Sequence, residues 1–476
     1  MLEISHSPIL ATLWRHAEED PFKAALIWND ESVNYCKLCN KIIGAANYLR
    51  AKGVCSGDCL GIIAKKGLDF VYLYLAGQLI GAVNVVLDPE TNGKRIEYIK
   101  EMTKPKFIAE GGEEMFDCSD CSIVVDEGLS VEDPAEIVFT TGTTGAAKGV
   151  VLTHANIFGS AGNINAFIGN GPDEVEILGL PLCHSFGLGR LRCTLLKGAT
   201  LIVLPSFANI KLFFAAIEKY HATGFGMVPA VWAYIRKLSG TRIAKYASQI
   251  KYIEIGSAAM PLESKKELCE LFPTTRICHH YGLTEASRAT FMEYHECSED
   301  LKTIGREASD QVSIKIFDEQ GVEVPDGESG EMCVKGNMVT KGYLKPEDNE
   351  HAFFGEYFRT GDGGYRAANG NLYLVSRLKE LINVGGKKVS PVEVEEAIIA
   401  LGVEDCAVVG VPDPDGILGE VPKCYVLKGG TSLSFDEIRT ALVGKLEPYK
   451  IPLFWDWIDS VPKTSSGKKQ RLQLKV

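Results

Sequence analysis

The chain has 476 residues, of which 46% are hydrophobic and 24% charged, and its 50 Lys and Arg against 62 Asp and Glu give a formal net charge of −12. A chain of this length exceeds what one compact core usually organises, so two or three domains are expected. The acidic balance argues against nucleic acid or an anionic membrane as the main partner, and an anionic substrate would have to be met by local cations.

The N-terminal stretch contains an early glutamate and no long apolar core, so no signal peptide is predicted. The longest uncharged run, residues 71–87, is shorter than the roughly 20 apolar residues of a membrane-spanning helix. Glycines and polar residues interrupt this run, which favours a buried helix that turns into a strand. Fourteen cysteines without a secretion signal favour reduced thiols and a cytoplasmic location.

Two CxxC pairs, Cys36/Cys39 and Cys118/Cys121, together offer enough thiolates for a zinc site. The first pair opens an amphipathic helix, where the same spacing also describes one helical face. Nothing in the sequence brings the second pair to the first. Ordinary reduced cysteines are therefore favoured over a structural metal.

From about residue 57, short apolar runs alternate with amphipathic helical stretches. "CLGIIAK" is followed by a helix from Asp69, by "AVNVVLDP", by a helix near "GKRIEYIKEM" and by "KFIAE". The alternation recurs with "ATLIVLPS", "IKLFFAAIEKYHA", "GFGMVPA" and "QIKYIEIGS". This pattern is typical of α/β proteins and predicts doubly wound, largely parallel βα layers.

From Gln311 the sequence becomes strand-rich with turn signals, which predicts a β subdomain over about residues 305–376. The remaining segment mixes strand and helix patterns and predicts a small α+β domain. The predicted organisation is a large N-terminal domain over residues 1–377 and a small C-terminal domain over residues 378–476.

The stretch "TTGTTGAAKG", from Thr140 to Gly149, is rich in glycine and hydroxyl side chains and contains one lysine. A Walker A loop has Gly directly before its lysine and Ser or Thr directly after, whereas Lys148 lies between Ala147 and Gly149. Glycines let backbone N–H groups converge on an anion, and threonine hydroxyls add donors. The stretch therefore predicts a phosphate-binding loop of another type, with a flexible surface hairpin as the alternative.

This loop resembles the signature loop of the AMP-forming adenylating enzymes, the family of acyl-CoA synthetases, luciferases and peptide-synthetase adenylation domains. Further motifs follow in the order of that family, and an ordered set is far more specific than any single motif. They are "PLCHSFG" (Pro181–Gly187), "YGLTE" (Tyr281–Glu285), "GESGEMCVKG" (Gly327–Gly336), "FRTGD" (Phe358–Asp362), "SRLKELINVGGKKVSPVEVE" (Ser376–Glu395) and "PKTSSGKKQR" (Pro462–Arg471).

The resemblance implies an acyl-CoA synthetase that uses ATP, Mg²⁺ and coenzyme A. A substrate carboxylate attacks the α-phosphate of ATP, pyrophosphate leaves, and a thiol then displaces AMP from the acyl-adenylate to form a thioester. Because the carboxylate is itself the nucleophile, the protein has to hold phosphates, spread their charge and exclude water.

The resemblance also implies roles for single residues. Glu285 matches a magnesium carboxylate, as a hard cation requires, and Thr284 would contact the α-phosphate. Tyr281 would lie against adenine, Asp362 would accept hydrogen bonds from the ribose, and Lys148 would handle pyrophosphate. The other nucleotide-binding residues implied are Thr140, Thr141, Gly142, Thr143, Thr144, Gly145, Ser257, Ala258, His280, Gly282 and Arg377.

Lys468, in "TSSGKKQR", matches the mobile lysine of the family that reaches the carboxylate and the α-phosphate during adenylation. The alternative is a solvated basic tail. Lys379 matches the pivot about which the small domain turns between the two half-reactions. Gly385, Gly386 and Lys387 would line a channel for the thiol's pantetheine arm, since glycine permits a close approach to the backbone.

His184 matches the histidine beside the acyl site and completes a predicted catalytic set with Glu285, Thr284 and Lys468. The predicted acyl pocket consists of His184, Phe186, Gly187, Met227, Val228, Gly256 and Gly282. Family members that activate α-amino acids usually have an Asp near this histidine. The stretch "CHSFGLGRLRC" has none, which favours an acid without an α-amino group, and the small and apolar residues of "GFGMVPA" and "IGSAAMPL" favour a fatty or aromatic one.

Arg190, Arg192 and Arg288 allow two interpretations: they bind a second carboxylate of the substrate, or they are solvated or paired within the protein. The second is favoured. Coenzyme A is the expected thiol, and the phosphopantetheine of a carrier protein is the alternative. A non-catalytic nucleotide-binding protein is a weaker alternative, because Lys468, Glu285 and Asp362 are all present. Neither nucleic acid nor membrane insertion is expected.

Overall fold

The computed structural model describes residues 4–63, 65, 67–89, 91, 93–110, 123, 125–126, 128–140, 147–385, 387–464 and 467–475. The chain divides into two compact units. The first comprises the described residues up to 140 together with 147–313 and 334–358, and the second comprises 314–333 and the described residues from 359 onward.

Helices and strands alternate along most of the first unit, as the sequence predicts. In chain order they are α1 (Pro8–Glu19), β1 (Ala24–Trp28), β2 (Glu31–Asn34), α2 (Tyr35–Ala51), β3 (Cys59–Ile63), α3 (Asp69–Leu79), β4 (Val83–Leu87), α4 (Gly93–Thr103), β5 (Phe107–Ala109), β6 (Pro134–Phe139), β7 (Gly149–Thr153), α5 (His154–Ile168), β8 (Val175–Leu178), α6 (Ser185–Lys197), β9 (Thr200–Val203), α7 (Ile210–Tyr220), β10 (Gly224–Met227), α8 (Pro229–Ser239), β11 (Tyr252–Ile255), α9 (Leu262–Leu271), β12 (Arg276–Leu283), β13 (Ala286–Glu293) and β14 (Arg306–Glu307).

The described strands of the first unit join in sheets with mostly parallel centres. One sheet has the order β14-β13-β12-β11-β10-β8-β9-β1-β2. The other includes β7-β6-β4-β3-β5, and β17 (Gly342–Tyr343) lies at its edge beside β7. In the first sheet, the adjacent strands β12, β11, β10, β8 and β9 pair in parallel, and in the second so do β6, β4, β3 and β5. The pairs β12–β13 and β6–β7 are antiparallel. The predicted α/β fold is confirmed.

Apolar side chains of α2, α3 and α6 pack with those of β3, β8 and β10 in one large buried cluster. Helix α3 is buried on every side from Phe70 to Leu79, because its sequence is apolar around the whole helix. It leads through Gly81, whose φ of 72° suits glycine, into the buried strand β4, as predicted for this run. Among the helices of the described residues, none has the length and apolar character needed to cross a bilayer.

The parallel strands β10, β11 and β12 place several predicted site residues at one edge of their sheet. Met227 pairs with Ile255, and Ile255 pairs with His279. Because the carboxyl ends of neighbouring parallel strands meet at the same edge, the segments that follow β10, β11 and β12 gather there. Val228 and Gly256 lie in these segments, and the "YGLTE" motif spans the last residues of β12 and the two that follow it.

A smaller sheet is built from β15 (Val312–Phe317), β16 (Gly330–Gly336), β18 (Phe353–Phe354), β19 (Tyr357–Arg366) and β20 (Leu372–Arg377). The order is β15-β16-β19-β18, with β20 also paired to β19, and the division between the two units falls within β15, β16 and β19. The second unit therefore includes much of the predicted β subdomain as well as the predicted C-terminal domain.

The C-terminal part of the second unit mixes strands and helices. Its elements are β21 (Ile382–Val384), β22 (Lys387–Val389), α10 (Pro391–Ile399), β23 (Cys406–Pro412), β24 (Glu420–Leu427), α11 (Phe435–Leu442) and β25 (Phe454–Ile458). Strands β23 and β24 are antiparallel, and β25 joins β24 in parallel. Val394 and Ile398 of α10 and Ile438 of α11 are completely buried with Val408 of β23, which forms a separate small core.

Candidate active site

Glu285 and Lys148 both contact Tyr343. The Tyr343 hydroxyl donates a 2.8 Å hydrogen bond to Oε1 of Glu285, which ends the "YGLTE" motif. Nζ of Lys148 lies 4.6 Å from the centroid of the Tyr343 ring and 3.1 Å from Oδ1 of Asp348. Strand β17 brings Tyr343 to this position because it pairs with β7, which begins directly after Lys148. The lysine of the predicted phosphate loop and the carboxylate of "YGLTE" thus share one tyrosine.

The two ends of the predicted phosphate loop are joined by backbone. The Thr140 N–H donates to the carbonyl of Lys148 at 3.0 Å, and Nη2 of Arg95 donates to the carbonyl of Thr140 at 2.8 Å. The predicted residues between these ends, Thr141, Gly142, Thr143, Thr144 and Gly145, lie outside the described residues. The described part therefore fixes where the loop begins and ends.

His184 is the N-cap residue of α6 and is half-buried. Gly187 follows in the first turn, where a Cβ atom would lie 2.2 Å from the carbonyl oxygen of Pro181, so only glycine fits. Nε2 of His184 lies 4.0 Å from Oδ2 of Asp88, which follows β4. The structure thus places a carboxylate beside this histidine that the "CHSFGLGRLRC" stretch does not contain.

Two rings occupy the space above glycines at the ends of β10 and β11. Phe186 and His280 meet edge to face with their centroids 4.8 Å apart. A Cβ atom on Gly256 would come within 2.0 Å of Cε1 of His280, and one on Gly226 would lie 3.3 Å from Cε2 of Phe186. Met227, predicted to line the acyl pocket, is fully buried. Packing of His280 therefore requires glycine at Gly256, whereas a Cβ atom on Gly226 would be a tight contact for Phe186.

A buried charge network lies behind the two rings. Nε of the fully buried Arg190 donates to Oε1 of Glu176 at 2.7 Å, and Nη1 donates to Oε2 of Glu254 at 3.0 Å. Oε1 of Glu254 lies 3.2 Å from Nε of Arg288 and 2.8 Å from Nδ1 of His280. Burial opposes the charge of Glu254, but Arg288 and Arg190 hold the pKa of this carboxyl well below its usual range.

Arg288 links this network to the first turn of α6. Its Nη1 donates to the carbonyl of Ser185 at 3.0 Å, and its Nη2 donates to the carbonyl of Phe186 at 3.1 Å. The φ of Arg288 is 55°, in the left-handed region, where a non-glycine residue is uncommon. The residue after "YGLTEAS" therefore positions the backbone of the predicted acyl site.

Arg192 belongs to a second buried pair, with Glu136 and with the hydroxyl of Tyr74, to which its Nε donates at 3.0 Å. Burial opposes its charge, yet Glu136 raises the pKa of Arg192 above the ordinary value. With Arg190 and Arg288, all three arginines are thus buried partners of protein carboxylates. The interpretation of these arginines as internally paired is confirmed.

The remaining predicted residues of this edge lie around the end of β12. Tyr281, Gly282 and Thr284 are half-buried, and so are Ser257 and Ala258, with Ser257 at a φ of 70°. His279 bonds the carbonyl of Ala258 at 3.2 Å through Nε2. Burial, with Lys265 and His280 nearby, lowers the pKa of His279 to about 3, so this imidazole is neutral at physiological pH.

Asp362 and Arg377 meet in the second unit. They face each other across the β19–β20 hairpin, and Nε of Arg377 lies 2.9 Å from Oδ1 of Asp362. The Asp362 N–H donates to Oγ1 of Thr360 at 3.1 Å, and the Asp362 residue is 4% exposed. The hairpin therefore brings together the two residues predicted to bind the ribose.

The neighbouring lysines Lys468 and Lys469 have different surroundings. Lys468 is exposed, whereas Nζ of Lys469 lies 2.9 Å from Oε2 of Glu395 and 3.0 Å from Oδ1 of Asp405. Burial opposes the charge of Lys469, but Glu395 and Asp405 raise its pKa. Nε of Arg471 donates to Oε1 of the same Glu395 at 2.7 Å. Lys469 is thus a structural residue.

Among the predicted thiol-channel residues, Gly385 has a φ of 57° and donates its N–H to the carbonyl of Leu418 at 2.7 Å. Nζ of Lys387 lies 4.5 Å from the centroid of the Tyr449 ring. Gly386 and the side chain of the predicted hinge residue Lys379 lie outside the described residues.

The CxxC pairs differ in what the structure describes. Cys36 is exposed and Cys39 is buried on α2, so the first pair does not present both thiols to one site. Burial also raises the pKa of the Cys39 thiol. Cys118 and Cys121 lie outside the described residues.

The sequence alone did not single out Tyr343, Asp88 or Glu254. Tyr343 lies in "KGYLKPE", outside the recognised motifs, and Asp88 follows a strand that is distant from His184 in the chain. A carboxylate directly after a buried strand, as in "VNVVLDP", is the one local signal that marks Asp88, since strand ends gather at a sheet edge.

Family models match most of the chain. The model of the AMP-binding enzyme matches residues 13–344, and that of the AMP-binding enzyme C-terminal domain matches residues 393–468. The chain therefore belongs to the AMP-binding enzyme family, the AMP-forming adenylating enzymes.

Relatives and solved structures cover nearly the whole chain. Tyrocidine synthase 3 of Brevibacillus parabrevis is 28% identical over 96% of this chain, which spans only 7% of that protein's length. The 2-succinylbenzoate–CoA ligase of Bacillus cereus is 26% identical over 97% of each chain. The o-succinylbenzoate coenzyme A synthetase of Bacillus subtilis, solved with ATP and a magnesium ion, is 26% identical, with a TM-score of 0.88 over 97% of this chain and 98% of that chain.

Proposed function

We propose that this chain is an AMP-forming acid–thiol ligase. It activates a carboxylic acid with ATP to an acyl-adenylate and then transfers the acyl group to coenzyme A. The observation that carries the proposal is the meeting of Glu285 and Lys148 at Tyr343. This contact places a carboxylate that can bind a metal ion near the lysine of the predicted phosphate loop. Activation of a nucleoside triphosphate requires both, because a metal ion and a cation together neutralise the phosphate charge.

The residues near the proposed phosphate site fit Mg²⁺. Glu285 offers carboxylate oxygens, the donors that this cation prefers, and its orientation is fixed by the hydrogen bond from Tyr343. Mg²⁺ bound there would supply charge neutralisation at the phosphates. Thr284, Thr140 and the loop that ends at Lys148 would hold the phosphate oxygens, and Lys148 would stabilise the leaving pyrophosphate.

Two groups of residues are assigned to the adenosine. We assign Tyr281, Ser257, Ala258, His280 and Gly282 to the base and the adjacent phosphate. Asp362 would accept hydrogen bonds from the ribose hydroxyls, and its ion pair with Arg377 at 2.9 Å orients the carboxylate.

The acid would bind beside His184. Phe186, Gly187, Met227, Val228, Gly256 and Gly282 would form the walls, and the apolar character of several of them supports a fatty or aromatic acid. Asp88 lies 4.0 Å from His184, so amino acids belong in the substrate test as well. The pairing of Arg190 and Arg288 with Glu176 and Glu254 supports a substrate without a second carboxylate.

The second half-reaction would require movement of a C-terminal domain over residues 378–476 about Lys379. Lys468 is exposed, as suits a residue that reaches the substrate carboxylate and the α-phosphate during adenylation. After rotation, Gly385, Gly386 and Lys387 would line the path of the thiol. We keep the cytoplasm as the proposed compartment because of the cysteine content of the sequence.

Acid-dependent release of pyrophosphate from ATP tests the function. The panel contains fatty, aromatic, dicarboxylic and amino acids, each with coenzyme A, with a carrier protein bearing phosphopantetheine, or with neither, and products are identified by mass spectrometry. We expect an acyl-AMP without thiol and an acyl-CoA with it. If the carrier protein were acylated and coenzyme A were not, the phosphopantetheine of a carrier protein would be the acceptor. Absence of pyrophosphate release with every acid would favour a non-catalytic nucleotide-binding protein.

A further inference from the structure

A thiol, an imidazole and a carboxylate meet beside the proposed acyl site. Cys183, His184 and Asp88 each offer one ligand atom, and these atoms all lie within 4.8 Å of one another. Nε2 of His184 and Oδ2 of Asp88 are 4.0 Å apart. All three residues are half-buried, so an ion from solvent can reach them while much of each side chain is held by protein.

We propose that Asp88, Cys183 and His184 bind Zn²⁺. Thiolate sulfur, imidazole nitrogen and carboxylate oxygen are its usual protein ligands, and three of them leave a fourth position for water or another small ligand. With metal–ligand bonds of about 2.0–2.3 Å, ligand atoms of a tetrahedral site lie roughly 3.3–3.8 Å apart. Movements of about 1 Å or less would therefore convert the observed separations into coordination distances.

The backbone around the cluster is fixed by regular structure. Asp88 directly follows β4, a fully buried strand that pairs with β3 and β6. Cys183 and His184 immediately precede α6, and the His184 N–H donates to the carbonyl of Pro181 at 3.4 Å. A site held by a strand end and a helix start loses little conformational freedom when it binds an ion, which favours affinity.

The ligand chemistry separates this site from that of the magnesium used with ATP. Mg²⁺ requires oxygen ligands and dehydrates reluctantly, whereas a thiolate and an imidazole select Zn²⁺. A deprotonated Cys183 and Asp88 would together balance the two positive charges of the ion. Millimolar Mg²⁺ in an assay should therefore leave the proposed zinc site available.

Zinc at this cluster would withdraw His184 from the acid and inhibit adenylation reversibly. This consequence rests on the proposed role of His184 at the acyl site, whereas the binding of zinc does not. The inhibition should be relieved by a chelator and should weaken as the concentration of the acid rises, because both would compete for the same position.

Direct binding measurements test the site. The full chain, stripped of metal with a chelator, is titrated with Zn²⁺ in competition with a zinc indicator, and Co²⁺ is used as a spectroscopic probe for a sulfur ligand. Cys183→Ser and Asp88→Asn should weaken the tightest binding roughly 10- to 100-fold or more, and Cys183→Ser should remove the thiolate-to-cobalt absorption. Cys55→Ser changes an exposed thiol elsewhere and serves as the matched control.

Unchanged zinc affinity and an unchanged cobalt spectrum in a folded Cys183→Ser protein would overturn the proposal. Pyrophosphate release is then measured with and without Zn²⁺, and Cys183→Ser should remove the inhibition. If zinc bound through Cys183 but did not inhibit pyrophosphate release, the zinc site would be upheld. The predicted inhibition and the proposed role of His184 at the acyl site would then both be wrong. Absence of adenylation in zinc-free protein supplied with Mg²⁺ would instead count against the proposed function and leave the binding result standing.

Discussion

The hydroxyl of Tyr343 donates a 2.8 Å hydrogen bond to Oε1 of Glu285, while the ring of Tyr343 lies 4.6 Å from Nζ of Lys148. The Thr340 N–H also donates to the backbone carbonyl of Glu285 at 2.8 Å. The side chain and the backbone of Glu285 are therefore held by one short segment around β17. Tyr343 of this segment contacts both the "YGLTE" motif and the predicted phosphate loop, which are far apart in the sequence. Mutation of Tyr343 can separate its positioning role from the roles of Glu285 and Lys148.

Glu285→Gln should lower adenylation by roughly 100-fold or more, because it removes the charge proposed to hold the metal while leaving an oxygen for Tyr343 to donate to. The measurement is acid-dependent pyrophosphate release at increasing Mg²⁺. Tyr343→Phe removes only the hydrogen bond and should cost much less. If both variants kept wild-type rates at low Mg²⁺, Glu285 would not be the metal carboxylate.

Lys468→Ala should abolish adenylate formation and largely spare thioester formation from preformed acyl-adenylate, because only the first step needs a cation at the carboxylate and α-phosphate. Its fold should be unaffected, since Lys468 is exposed. Lys469→Ala is the matched control for position. It removes one partner each of Glu395 and Asp405, which keep their ion pairs with Arg471 and Lys463, and should destabilise the second unit by about 1–3 kcal/mol. Full adenylation by Lys468→Ala would contradict the assignment.

Lys379→Pro should impair thioester formation more than adenylation. Proline fixes φ and restricts the preceding residue, so it would hinder rotation of the backbone at the proposed hinge. The two half-reactions are measured separately, with acyl-adenylate supplied for the second. Lys428→Ala, which removes an exposed ion pair with Asp459, serves as a control away from the hinge. Equal losses in both half-reactions would argue against a hinge at Lys379.

Glu254→Gln should destabilise the first unit by about 3–5 kcal/mol, because two buried arginines would lose a shared carboxylate. Urea unfolding measures the change. Glu263→Gln is the control, since its ion pair with Lys266 is exposed and should contribute little. A Glu254→Gln protein as stable as the wild type would show that Arg190 and Arg288 find other compensation.

Protonation of His154 should make the stability of the first unit depend on pH. Burial and the nearby His6 lower the pKa of His154 from 6.5 to about 3 in the folded chain. The unfolded chain therefore binds the proton first, and the stability that neutral His154 provides above pH 6.5 is lost as the pH falls toward 3.

Between about pH 7.5 and about pH 5 this residue should cost about 2 kcal/mol of unfolding free energy. His154→Phe keeps a ring against His6 but cannot titrate, so its unfolding free energy should fall by that much less over the same interval. Parallel pH dependences in urea titrations of the two proteins would contradict the prediction.

The α/β layers were predictable from sequence because their pattern is local. Each strand and helix from β3 to β5 has its own apolar period, and the order of such elements limits how they pair. The contact between Asp362 and Arg377 was also within reach, since a hairpin joins their strands. The motifs themselves came from resemblance to a family.

The relationships that sequence did not reveal depend on packing between distant segments. Asp88 reaches His184 only because β4 ends beside the start of α6, and the absence of an Asp from "CHSFGLGRLRC" therefore said nothing about the space around the histidine. The partners of Arg190 and Arg288 could not be predicted from sequence. Glu176 and Glu254 lie within short apolar strands, and nothing in those strands indicates which cation each carboxylate meets.

Glu395 of α10 holds the chain at two points just after Lys468, through Nζ of Lys469 at 2.9 Å and Nε of Arg471 at 2.7 Å. The exposed Lys468 therefore directly precedes a segment that is held in place, so the position of its backbone is set by the contacts of Lys469 and Arg471 with Glu395. For protein engineering, an insertion between Lys468 and Lys469 would move the proposed catalytic lysine away from these contacts. One residue added at this position would change the distance between Lys468 and Glu395, while Lys469 and Arg471 kept their contacts with Glu395.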